Sequence, residues 1–148
     1  MDLGVEMSQP DGCILTGTGE KRLLIVEDDI LVARMYGELF SAKPWKTVVC
    51  RDAESAMTLI RSCLDFYVTV TDMRLPGPMD GLALARWLRE VKPLMPLIGI
   101  SGYWDMYSVA ECSAMFSDII GKGTLETASH ILEAVDDAMR RARRWRSF

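Results

Sequence analysis

The segment VTVTDMRLPGPMDGLALARWLR, residues 68–89, is the strongest indication of the fold. It opens with a β-branched run that ends at Asp72, passes through a loop rich in Pro and Gly, and closes in a segment whose leucines recur at helical spacing. Such a run, bounded by turn residues, is typical of a strand covered on both faces, as in a parallel sheet. A buried strand followed at once by an amphipathic helix therefore predicts one unit of an α/β fold.

The same alternation extends in both directions from this stretch. Short apolar runs predict five strands, at residues 23–26, 47–50, 66–71, 97–100 and 118–120. Apolar residues at spacings of three and four predict five helices, of which the fourth, at residues 107–115, has the weakest pattern. Right-handed crossovers then give a flavodoxin-like, doubly wound parallel sheet of five strands in the order 2-1-3-4-5, with five helices on its two faces.

Length and composition limit the alternatives. The chain has 148 residues, of which 49% are hydrophobic and 26% charged, and its net charge is −4. These values predict one globular domain and argue against a protein that binds nucleic acid over its whole surface. The acidic N-terminus lacks a signal peptide, and no apolar run approaches the about 18 residues of a membrane span. We therefore expect a soluble, cytoplasmic protein without membrane insertion.

The cysteines and the histidine do not suggest a metal centre. Cys13, Cys50, Cys63 and Cys112 are widely spaced without a CxxC pair, and His130 is the only histidine. We expect the cysteines to be reduced thiols and His130 to lie on the surface of the last helix.

The two ends fall outside the alternating pattern. Residues 1–20 are rich in Gly, Ser, Thr and Asp without apolar periodicity, which predicts a flexible or loosely docked extension. We expect the folded domain at residues 21–144 and a short tail at residues 145–148. Because so little chain follows the domain, we expect a stand-alone protein or a piece of a larger one, without an output domain here.

Arginines crowd the last nine residues of the chain. They could bind nucleic acid or an anionic membrane surface. The favoured interpretation is that they complement the dipole at the end of the last helix, so nucleic acid is not an expected partner.

Charged and polar residues follow four of the predicted strands. Glu27 and Asp28 follow the first, Asp72 the third, Ser101 the fourth and Lys122 the fifth. Because the carboxyl ends of parallel strands meet at one edge of the sheet, and ligands bind there, we expect these side chains to form one site.

Each residue type in this set suits phosphoryl transfer. A cluster of carboxylates repels itself unless a cation is present, and Mg²⁺ (or Mn²⁺) is the hard cation that such oxygens prefer. Asp72 could then be the nucleophile, while Lys122 and Ser101 stabilise charge on the transferred group. Any one of these residues alone would more often be a turn residue or a helix cap, as Asp29 is expected to be.

These residues resemble the receiver domains of two-component response regulators, and the resemblance covers roughly residues 21–144. LLIVEDD is similar to the family's first strand and acidic pair, which implies metal ligation by Glu27 and Asp28. Residues 68–89 resemble the phosphoacceptor strand, loop and third helix, which implies that Asp72 is the phosphoacceptor and a further metal ligand.

The resemblance implies further roles nearby. LIGISGY and DIIGKG are similar to the family's fourth and fifth strands, which implies that Ser101 and Lys122 stabilise the phosphoryl group. The backbone carbonyl of Arg74 would be another metal ligand, and the side chains of Arg74 and Tyr103 would tune the rates of phosphorylation and hydrolysis. We predict that Arg74→Ala changes the lifetime of the phosphorylated state without abolishing it.

The chain departs from the family pattern at two positions near the site. Gly123 stands where Pro usually follows the lysine, so we expect a trans peptide bond and a rearranged loop, because a cis bond without proline costs about 3 kcal/mol. Ile119 stands at the position of the switch aromatic, so Tyr103, Trp104 or Phe116 is expected to substitute for it. The expected switch region is therefore Ser101, Tyr103, Trp104 and Ile119.

The implied function is a phosphorylation switch rather than an enzyme. Its expected partners are a histidine kinase or histidine phosphotransfer protein and an unidentified downstream protein, bound at the face of the fourth helix, last strand and last helix. Dimerisation through that face is an open alternative. A degenerate receiver that acts as a phosphorylation-independent scaffold also remains open. A flavodoxin-like nucleotide binder is disfavoured, because the acidic loop after the first strand would repel phosphates.

Overall fold

The computed structural model describes residues 13–62, 65–102, 109–122 and 126–146. In this part of the chain the strands are β1 (Ile14–Gly17), β2 (Arg22–Val26), β3 (Lys46–Cys50), β4 (Phe66–Asp72), β5 (Leu97–Ser101) and β6 (Asp118–Gly121). The helices are α1 (Ile30–Leu39), α2 (Ala53–Arg61), α3 (Gly81–Val91), α4 (Val109–Met115) and α5 (Thr127–Arg146). Among these described residues, no helix has both the length and the apolar content needed to cross a membrane.

The strands form one sheet in the order β1-β3-β2-β4-β5-β6. The strands from β2 to β6 are parallel to their neighbours and reproduce the predicted order 2-1-3-4-5, so the flavodoxin-like α/β fold is confirmed. The predicted count of five strands was wrong, because β1 adds a sixth, antiparallel to β3 at the edge of the sheet.

Strand β1 lies inside the segment that was predicted to be a flexible extension. Its side chains alternate between buried and half-buried positions over only four residues, a pattern too short to stand out in the sequence. A Cβ atom on Gly37 would lie 3.2 Å from side-chain atoms of both Ile14 and Thr16, so the glycine lets α1 lie close against β1. The extension is therefore ordered at least from residue 14 to residue 17.

The sheet has a hydrophobic layer on each face, which explains the uninterrupted apolar runs. In β2, Leu24 and Val26 face the layer beneath α2 and α3, whereas Leu23 and Ile25 face the layer beneath α1 and α5. Since both faces of β2 are buried, its residues 23–26 show no alternation of apolar and polar side chains.

Three aspartates begin the helices that follow β2, β3 and β4. Asp29, Asp52 and Asp80 are the N-caps of α1, α2 and α3, and each side chain accepts hydrogen bonds from backbone N–H groups of the first turn. The capping role predicted for Asp29 is thus confirmed.

The last helix runs beyond the predicted end of the folded domain. The buried residues of α5 include Ile131, Val135, Ala138 and Ala142, which recur at spacings of three and four. Because α5 continues to Arg146, residues 145 and 146 are helical rather than tail. Helix α4 begins at Val109, and the earlier residues predicted for it lie outside the described part of the chain.

Candidate functional site

An acidic cluster lies at the carboxyl edge of the sheet, between β2 and β4. These strands are neighbours in register, with Val26 opposite Thr71, so the next residues along, Glu27 and Asp72, are also neighbours. One carboxylate oxygen from each of Glu27, Asp28 and Asp72 lies within 4.8 Å of the others. Glu27 and Asp72 are buried, with 1% and 6% of their surface exposed, whereas Asp28 is exposed and leaves the cluster open to solvent.

Lys122 reaches this cluster from β6, two strands beyond β4. Its Nζ lies 2.5 Å from Asp72 Oδ2 and 3.5 Å from Glu27 Oε1. Its backbone N–H donates to the carbonyl of Ser101 at 2.9 Å, which fixes where the residue leaves the sheet. The lysine therefore bridges the two buried carboxylates.

Ser101 and Arg74 lie on the same edge. Ser101 is buried at the end of β5, beside the strand that carries Asp72. The backbone N–H of Arg74 donates to Asp72 Oδ1 at 3.1 Å, while the Arg74 side chain is exposed. Both oxygens of Asp72 are thus held, Oδ1 by Arg74 and Oδ2 by Lys122.

Burial and like charge perturb the titration of this cluster. Burial, followed by the charge of Asp72, raises the pKa of Glu27 to about 7, although Lys122 acts to lower it. For Lys122, burial acts to lower the pKa, but the hydrogen bond to Asp72 and the charges of Glu27 and Asp72 outweigh it and raise the pKa. A cluster of this kind, short of positive charge, favours a bound cation.

The donor set fits a hard divalent cation. Glu27, Asp28 and Asp72 offer only carboxylate oxygens, which are the ligands that Mg²⁺ and Mn²⁺ prefer. The exposure of Asp28 provides a path for an ion and its waters to enter.

Two further residues that shape the site were not predicted. A Cβ atom on Gly81 would lie 2.1 Å from the Asp72 carbonyl oxygen, so only glycine permits this approach of α3 to the end of β4. Tyr36 is buried on α1, and burial followed by the charges of Glu27 and Asp72 raises the pKa of its hydroxyl. Neither residue carries a sequence signal that separates it from an ordinary loop glycine or core residue.

Of the remaining predicted residues, some lie in the described part of the chain and others do not. Ile119 is half-buried in β6 and packs against the layer beneath α2 and α3. Tyr103, Trp104 and Gly123 lie outside the described residues. His130 is exposed on α5, as expected.

Comparisons with known proteins agree with this fold. The family model "Response regulator receiver domain" matches residues 23–136. The chain is 31% identical over 102 residues to the sensor protein TorS of Escherichia coli (strain K12), an alignment that spans 68% of this chain but only 11% of TorS.

Solved structures of receiver domains superpose closely on the chain. The signal receiver domain of an HD domain-containing protein from Pseudomonas fluorescens Pf-5 superposes with a TM-score of 0.74 at 20% identity, over 84% of this chain and 98% of that one. A response regulator receiver domain protein from Clostridium thermocellum superposes with a TM-score of 0.72 at 18% identity, over 83% and 97%. These likenesses show the fold, and the family match shows membership: the chain belongs to the response regulator receiver domain family.

Proposed function

We propose that the protein accepts a phosphoryl group on Asp72 in a reaction that depends on Mg²⁺ or Mn²⁺, and that this modification switches its binding to a partner. Receiver domains are non-enzymatic switch domains of two-component signalling. The observation that carries the proposal is the position of Asp72, a buried carboxylate 2.5 Å from the ammonium group of Lys122 and clustered with two more carboxylates.

The geometry supports Asp72 as the nucleophile. Its Oδ1 and Oδ2 are oriented by Arg74 N–H and by Lys122, so the attacking oxygen is held before the donor arrives. In the reaction a bond forms between a carboxylate oxygen and phosphorus, while the bond between phosphorus and the donor's leaving group breaks.

Positive charge and donors surround the position of the transferred group. A divalent ion, held by Glu27, Asp28 and Asp72 with the Arg74 carbonyl as a further ligand, would supply charge neutralisation at one phosphoryl oxygen. Lys122 would then exchange its contact with Asp72 for a contact with a second oxygen, and the hydroxyl of Ser101 would donate to a third.

The donor is proposed to be a histidine kinase or a histidine phosphotransfer protein, the partner class of this family. Large apolar side chains are exposed on α1, which begins beside the acidic cluster: Ile30, Leu31 and Met35 are 41%, 74% and 44% exposed. An apolar surface beside the phosphoacceptor suits a protein donor, because burying it would align the phosphohistidine with Asp72.

The output surface is proposed to be the face formed by α4, β6 and α5. A groove of about 500 Å³ runs between β6 and α5, lined by residues that include Ile119, His130 and Asp137. Lys122 directly follows β6, and β6 lines this groove. A new contact between Lys122 and the phosphoryl group would therefore act on the strand that forms one wall of the groove. A downstream protein or a second copy of the chain could bind there.

A phosphorylation-independent scaffold is the second candidate. The aliphatic Ile119, half-buried in β6, stands where the family has its switch aromatic, and so favours an output face that does not respond to phosphorylation. A scaffold would bind its partner equally well with and without a phosphodonor.

The deciding experiment is an intact mass measurement after treatment with Mg²⁺ and a small phosphodonor such as acetyl phosphate. We expect one phosphoryl group on the wild type, none on Asp72→Asn, and none when the metal is chelated. Asp80→Asn is the matched control, because Asp80 caps α3 and is not in the acidic cluster, and it should be modified like the wild type. No modification of the wild type with either metal would contradict the proposal and favour the scaffold.

A further inference from the structure

Cys13 directly precedes β1, and Cys50 is the last residue of β3. Ile14 lies opposite Val49 in the antiparallel register, so the next residues along, Cys13 and Cys50, face one another at the carboxyl end of β3. Both are reduced thiols, and only 2% and 0% of their surfaces are exposed. Both pack into the hydrophobic layer beneath α2 and α3, which places their side chains on the same face of the sheet.

This arrangement fits the geometry of a disulfide. Opposite residues of an antiparallel pair have Cα atoms about 4.5–5.5 Å apart. Disulfides form across Cα separations of about 4.4–6.8 Å, so the pair needs little backbone movement. Burial, and then the charge of the neighbouring Cys13, raises the pKa of the Cys50 thiol.

We propose that Cys13 and Cys50 are an oxidation site at which hydrogen peroxide forms an intramolecular disulfide that locks β1 to β3. One sulfur takes an oxygen atom as the O–O bond of peroxide breaks, which gives a sulfenic acid and a first water. The second sulfur then displaces that oxygen, the S–S bond forms, and a second water leaves. The two sulfurs together lose two electrons, and the peroxide is reduced to water.

The crosslink would lie one hydrogen bond from the acidic cluster. The carbonyl of Cys50 accepts a hydrogen bond from the backbone N–H of Glu27 at 2.9 Å. Strand β1 also packs against α1 at Gly37, and α1 lies between the two cysteines in the chain. Fixing β1 therefore restrains the helix and the strand end that frame Glu27. Because both thiols are buried, the reaction requires β1, at the edge of the sheet, to open first.

The test uses the full chain treated with hydrogen peroxide, alkylated under denaturing conditions and digested without reductant. We expect mass spectrometry to find a peptide pair linked through Cys13 and Cys50, absent from Cys13→Ser. Cys112→Ser is the matched control, because Cys112 is also buried but lies on α4, and it should still form the link. Separate alkylation of Cys13 and Cys50, or their linkage to Cys63 or Cys112, would overturn the proposed site.

A second measurement tests the lock itself. Backbone amides of β1 should exchange hydrogen about tenfold more slowly in the oxidised wild type than in identically treated Cys13→Ser, because opening of the edge strand is restrained. Equal exchange in the two samples would show that the link does not fix β1.

Discussion

Glu27 couples metal binding to pH. Its pKa is raised to about 7, so it carries a proton below that pH, and a divalent ion must displace this proton to bind the carboxylate. We expect the apparent affinity for Mg²⁺ to fall up to about tenfold for each pH unit below about 7, with a proton released on binding. Calorimetric titrations in buffers of different protonation enthalpy measure both quantities.

The control for this prediction is Glu27→Gln, which should bind Mg²⁺ more weakly and lose the proton release near neutral pH. An affinity of the wild type that stays constant between about pH 6 and about pH 8 would contradict the raised pKa of Glu27.

Arg74 is the residue expected to tune the lifetime of the phosphorylated state. Its backbone is tied to Asp72, so its exposed side chain leaves the sheet at the rim of the site. We predict that Arg74→Ala is still phosphorylated but that its decay rate changes by up to about tenfold, or about 1.4 kcal/mol in the barrier. Arg51→Ala, an exposed arginine that follows β3, should decay like the wild type, and equal rates in all three proteins would reject the role of Arg74.

The positions of the acidic residues and of Lys122 followed from the sequence, because each comes directly after a recognisable strand. Because β2 and β4 are parallel neighbours with Val26 opposite Thr71, the side chains of Glu27 and Asp72 lie on the same face of the sheet. Gly81 and Tyr36 could not be found in this way. The role of Gly81 depends on how closely α3 approaches β4, and that of Tyr36 on how deeply α1 packs against the sheet. No local sequence pattern predicts either feature.

At the scale of elements, Gly81 fixes the approach of α3 to the phosphoacceptor strand. An added Cβ would collide with backbone atoms of Asp72 and Met73, which cannot move aside as a side chain can. We expect Gly81→Ala to lower the free energy of unfolding by about 1–3 kcal/mol. Gly102→Ala, whose Cβ would meet no atom of the described residues closer than 3.8 Å, should stay within about 0.5 kcal/mol of the wild type in urea unfolding. An equal effect of the two substitutions would refute the close-approach argument.

The exposed apolar face of α1 is expected to matter only for a protein donor. We predict that Leu31→Asp slows transfer from a histidine kinase or phosphotransfer protein about tenfold, the loss of roughly 1.4 kcal/mol of interface energy. Modification by a small phosphodonor should be unchanged, because Leu31 lies on the helix surface outside the acidic cluster.

Leu94→Asp is the matched control for α1. Leu94 is 63% exposed, comparable to Leu31 at 74%, but it follows the end of α3 at the opposite edge of the sheet. If Leu94→Asp slows transfer from the protein donor as much as Leu31→Asp does, α1 is not the docking surface.

Elements with a long pattern were predicted better than short ones. The five parallel strands and the caps of the first three helices carry strong local signals, namely continuous apolar runs and an aspartate before each of α1, α2 and α3. Strand β1 carries almost none, because its four residues form a strand only through pairing with β3 and packing against α1. Among the described elements, β1 was the one not predicted from the sequence, because it is stabilised by tertiary contacts.

At the scale of the whole molecule, the parallel sheet explains how distant segments build one site. Asp72, Ser101 and Lys122 lie at the carboxyl ends of β4, β5 and β6. Because these three strands are adjacent in the sheet, the strand order alone brings the three residues close together. The fold class and the site's location could thus be predicted from the chain alone. The output face was inferred from the family resemblance rather than from the strand pattern, and it stays a prediction.

The most direct test of the account is chemical identification of the phosphorylated residue. Borohydride reduces an aspartyl phosphate to homoserine, which marks the acceptor permanently for peptide sequencing. After phosphorylation in the presence of Mg²⁺, we expect homoserine at position 72 and at no other aspartate. Homoserine at Asp28 or Asp80, or its absence from every peptide of a protein shown to be folded, would contradict it.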